Sequence, residues 1–83
     1  MLTDYLQAAM RRAHYELLDA QEGFCGEIPG FQGVYATAAT LEACREELAR
    51  TLEDWLFFRV SRNLPTPVLD GLDLQIKELA ENA

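Results

Sequence analysis

The sequence predicts an α+β fold, a two-layer sandwich in the order α-β-β-β-α-β, in which an antiparallel meander and one last strand lie against a long helix. Three observations lead there. Leu41, Cys44, Leu48, Leu52, Trp55 and Leu56 recur at spacings of three and four, the stripe of a helix over residues 40–62. Residues 13–19 and 24–28 instead alternate apolar and polar, the period of half-buried strands. Gly23 and Pro29-Gly30 punctuate those strands where tight connections belong.

Taken in order, residues 3–12 form a short helix capped by Thr3, with Asp4 at its N-terminal end and Arg11 and Arg12 at the other, as the helix dipole favours. Leu2, Leu6, Ala9 and Met10 share a face. A helix this short forms only if that face docks. In strand 13–19, Tyr15 and Leu17 oppose His14, Glu16 and Leu18. The connection 20–23 leads to strand 24–28, where Phe24, Gly26 and Ile28 oppose Cys25 and Glu27. A third strand, 33–37, sets Val34 and Ala36 against Tyr35 and Thr37.

Thr40 then caps the long helix, and Asn63 and Pro65 stop it, since Asn tolerates a left-handed residue and Pro cannot continue a helix. At 1.5 Å per residue this helix spans about 33 Å, roughly the width of a small domain. Residues 64–68 make an extended connector, Asp70-Gly71 a turn, and 72–79 a last strand that returns beside an early one. Residues 78–83 are a frayed tail. Residues 1–83 make one domain, because a second core would leave each half too little surface to bury.

Charge narrows the partners. A net charge of −7 repels phosphate backbones and anionic lipid, so nucleic acid and membrane are poor partners; it suits a basic protein, while in many proteins such acidity serves solubility alone. Cys25 and Cys44 are too few for a disulfide scaffold or a zinc site and read as small buried residues in a reducing compartment. With no signal segment and no long apolar run, a cytoplasmic location is expected.

Reactive chemistry is not expected. His14 is the sole histidine, and nothing is spaced to make it a metal ligand or triad member. A Cys25–His14 thiolate pair would lack both an orienting group and an oxyanion site. Glu42, Glu46, Glu47, Glu53 and Asp54 are interleaved with Arg45 and Arg50 on the outer helix face, Glu46 and Arg50 being an i,i+4 pair. Gly26, Gly30 and Gly33 open no helix that could cradle phosphate. The reading is a non-enzyme with no cofactor and no metal.

One stretch is more apolar than a single buried stripe requires. In residues 55–60 (WLFFRV), Trp55, Phe57, Phe58 and Val60 are the candidate oligomer interface. Helix 3–12 or the connector 64–69 covering them within one chain is the alternative. Phe31, Tyr35, Glu46 and Glu53 are the candidate contacts to a different protein.

The run GFCGEIPGFQGVYAT at residues 23–37, followed by ATLEA at 39–43, resembles the N-terminal domain of the HicB antitoxin family. The shared pattern is a strand ending in an acidic residue, an apolar residue and Pro, then a Gly turn, a second strand and a Thr-capped, Ala- and Leu-rich acidic helix. The resemblance spans residues 15–55, and a strand at 72–77 is consistent with it. It implies a partly ribonuclease-H-like domain without ribonuclease activity, forming dimers or tetramers and neutralising a small basic HicA-type mRNA-cleaving toxin. The chain departs from the pattern by its extra first helix and by lacking room for the family's C-terminal DNA-binding domain, so direct DNA binding is not expected. A structural or regulatory homo-oligomer with no toxin partner is the second reading.

Overall fold

The computed structural model describes residues 2–71. In chain order its elements are α1 (Leu2–Arg11), β1 (His14–Asp19), β2 (Gly23–Glu27), β3 (Tyr35–Ala38) and α2 (Leu41–Ser61). The strands form one antiparallel sheet in the order β1-β2-β3. This is the expected small α+β arrangement; the last strand, 72–79, and the tail, 78–83, lie outside the described residues.

Register assigns the two faces of the sheet. Tyr15, Gly26 and Ala36 form one rung, and Leu17, Phe24 and Ala38 the next on the same side. His14, Glu27 and Tyr35, with Glu16, Cys25 and Thr37, form the rungs of the opposite side. α2 lies over β3 and β2 on the first side. Gly26 permits that approach: a Cβ there would come within 2.9 Å of the Tyr15 ring and 3.2 Å of Cys44 Sγ. Cys44, Leu48, Leu52 and Leu56 of α2 are fully buried against this side. Each such leucine contributes about 1.5–3 kcal/mol relative to exposure.

Both ends of α2 follow their local chemistry. Thr40 has extended backbone, and its Oγ1 accepts the Ala43 N–H at 3.1 Å. Asn63 takes the left-handed conformation, φ 55°, after the last turn. In the β1–β2 hairpin the Asp19 carboxylate accepts the N–H groups of Gln21 and Glu22 at 2.7 and 2.6 Å. Gly23, at φ 81°, closes this turn where any Cβ would strike the Ala38 carbonyl oxygen.

Several expectations need correction. α1 begins at Leu2, so Thr3 lies inside the helix and is not its cap. Its buried face is Tyr5, Ala8 and Ala9, with Leu6 and Met10 half-buried and Leu2 exposed. The reason is an anchor distant in sequence: the Tyr5 hydroxyl donates to the Pro67 carbonyl, which turns that face inward. β3 starts at Tyr35 instead of Gly33, because residues 28–34 turn twice, Phe31 N–H bonding to Ile28 and Val34 N–H to Phe31, each at 3.1 Å. Leu17 is on the core side as expected yet 62% exposed, since α2 covers β2 and β3 and leaves β1 overhanging. Leu41, the first member of the helical stripe, is exposed for a related reason: it stands at the outer end of α2, before the buried Cys44.

Candidate protein-interaction surfaces

Two surfaces of the described residues are uncovered by any other described element. One is the open side of the sheet. His14, Glu16, Glu27, Tyr35 and Thr37 are exposed there and Cys25 is half-buried. Alternation along each strand puts these side chains opposite the core, and the hairpin adds the acids Asp19 and Glu22 at one end. The patch is acidic and has an aromatic, Tyr35, on β3, an outer strand of the sheet among the described residues.

The second surface is the outward side of α2. Glu46, Arg50, Glu53 and Phe57 are all exposed and follow one another at spacings of four, three and four, so they form one stripe. At 100° per residue Phe57 stands about half a turn from Leu48, directly away from the core. The residue is 77% exposed. The expected Glu46–Arg50 pairing is not made; Arg50 Nη1 lies 3.5 Å from Glu47 Oε2 instead. An exposed pair of this kind is worth at most a few tenths of a kcal/mol.

The candidate oligomer residues therefore divide. Phe57 and Phe58 face solvent, and the Arg62 guanidinium lies 4.5 Å over the Phe58 ring. Trp55 is half-buried between the Phe31 ring, at 5.2 Å, and the Arg59 guanidinium, at 4.9 Å. Val60 is half-buried against the core. Among the candidate contacts to a different protein, Tyr35, Glu46 and Glu53 are exposed. Phe31 is not available: it is 3% exposed, wedged between Tyr5 and Trp55, and belongs to the core.

The reactive side chains are kept apart. His14 faces Glu27 across the ladder while Cys25 faces Glu16, and no hydrogen bond among the described residues joins His14 to Cys25. Cys44 is on the other side of the sheet, fully buried; its thiol donates to the Ala36 carbonyl at 3.5 Å, and burial pushes its pKa up. Burial likewise raises the Tyr15 phenol, against the opposing pull of Arg45. No group of three metal-capable side chains occurs among the described residues. No helix among them is long and apolar enough to cross a membrane.

Sequence reasoning overlooked one anchoring residue, Asp70. Its carboxylate accepts a 2.8 Å hydrogen bond from Arg12 and lies 3.7 Å from Arg11, tying the connector to the end of α1. The hydrogen bond from Arg12 holds the Asp70 carboxyl below its usual pKa. Arg59 Nε, donating to the Pro65 carbonyl at 2.7 Å, fastens the same connector to α2.

Comparison with known proteins agrees with this architecture. The sequence matches the UPF0150-like family over residues 4–67. A crystal structure of TTHA0281 from Thermus thermophilus is similar, with a TM-score of 0.81 and 46% identity over 87% of this chain and 89% of that one. No curated protein matches the sequence. A match over that span, with a structural relative at that identity, means that the chain belongs to the UPF0150-like family.

Proposed function

We propose that the chain is a non-catalytic protein-binding domain of the HicB antitoxin type, one that associates with itself and takes a small basic HicA-type mRNA-cleaving toxin as its partner. The observation that supports this most is the open sheet face, where Glu16 and Glu27 stand beside Tyr35 with no described element over them. Opposite charge draws a basic protein toward such a face and orients it, while an exposed aromatic supplies contact area. Membership in the UPF0150-like family and the antitoxin-like run at residues 23–43 support the same reading.

The test is co-expression with a HicA-type protein from the same genome. The chain should restore growth and co-purify with the toxin at low salt, and Glu16→Lys with Glu27→Lys should abolish both. A chain that neither binds nor protects removes the toxin partner. In that case the exposed Phe57 favours the second reading, a structural or regulatory homo-oligomer.

A further inference from the structure

We propose that the outward stripe of α2 is a self-complementary seam that pairs antiparallel with the same stripe of a second copy of this chain. The inference rests on the self-associating part of the reading above and not on its basic partner. Ala43, Glu46, Arg50, Glu53, Phe57 and Val60 recur at alternating spacings of three and four, the repeat by which two helices mesh along a shared seam. All but Val60 are exposed, and Val60 is half-buried at the edge of the core.

The order of charges along the seam selects the direction of pairing. Parallel alignment sets each residue against its own copy, so Glu46, Arg50 and Glu53 would each meet a like charge. Antiparallel alignment about a twofold axis level with residues 51 and 52 does the reverse. Each Arg50 then meets the partner's Glu53, giving two symmetric ion pairs at the centre. Each Phe57 lies along the methylenes of the partner's Glu46, and each Val60 meets the partner's Ala43. An interface with twofold symmetry must be complementary to itself, and this stripe is. From residue 46 to 60 it runs about 21 Å at 1.5 Å per residue. Glu47 and Asp54 flank the seam on one side and would face their counterparts, so the pairing works against local repulsion as well as the net charge of −7 per copy.

The experiment uses two charge reversals of the full chain, Arg50→Glu and Glu53→Arg, followed by native mass spectrometry and sedimentation. Arg50 and Glu53 are exposed, so each variant should keep the wild-type circular dichroism. Wild type should be dimeric and each variant alone weakened at least about tenfold in dimer affinity, because like charges then meet twice. An equimolar mixture should restore a one-to-one heterodimer, in which both central pairs are again opposite in sign. A monomeric wild type overturns the seam together with self-association. A dimeric wild type whose variants stay dimeric and mix at random overturns the seam alone, leaving self-association through another surface.

Discussion

The ring of Phe31 rests against the indole of Trp55, centroids 5.2 Å apart and planes tilted by 56°, so the loop between β2 and β3 is held by the far end of α2. Tyr5 meets the same ring edge-on at 6.3 Å, which makes Phe31 the point where α1, the loop and α2 converge. Phe31→Ala should therefore cost about 3–5 kcal/mol, the range for emptying a buried aromatic site. Tyr35→Ala, with its ring in solvent, should change stability by at most about 0.5 kcal/mol. Urea unfolding of the two variants checks the contrast, and equal losses would contradict the packing described.

Gly26 is predicted to resist enlargement. Its missing side chain leaves room for the Tyr15 ring and Cys44 Sγ at once. Gly26→Val should destabilise by about 1–3 kcal/mol or more through overpacking, measured as a lower urea midpoint with an unchanged slope.

The two thiols should report different events. Cys25 is half-buried on the open sheet face, whereas Cys44 is fully enclosed with its pKa raised by burial. Alkylation followed by peptide mapping should label Cys25 in the native protein and Cys44 only as fast as the domain opens. Prompt native labelling of Cys44 would mean that α2 separates from the sheet far more readily than its packing implies.

Strong acid should loosen the connector. The hydrogen bond from Arg12 lowers the Asp70 pKa on folding, so this group adds stability above its unfolded value, about 3.9. That contribution fades as the pH falls through the lower folded value. Comparing thermal unfolding of wild type and Asp70→Asn from pH 7 to pH 2 should show a small difference at neutral pH that vanishes in strong acid. Both partners are exposed, so a large effect is not expected.

Much of this architecture is legible in the sequence because two signals are local. Cys44, Leu48, Leu52 and Leu56 follow the helical period, and Thr40 and Asn63 mark its ends by their own chemistry. Strand alternation likewise separated the open face, with His14, Glu16, Cys25 and Glu27, from the core face. Phe31 was misjudged because Pro29-Gly30 and Gly33 announce a turn but not the direction of the ring between them. That direction is set by Tyr5 and Trp55, both remote in sequence. Asp70 was missed for the same reason, since its partners lie at the opposite end of the chain. The split within the 55–60 run was only half legible: periodicity forces some of these side chains outward, but which ones depends on how α2 is rotated over the sheet.

The link from Tyr5 to Pro67 has a consequence for biosynthesis. α1 leaves the ribosome before the connector, and the carbonyl that anchors it is made 62 residues after Tyr5. At 5–20 residues per second that delay is on the order of 3–12 s. Until then the hydrogen bond that fastens α1 to the connector cannot form, so α1 is more open to chaperones and proteases than in the finished fold.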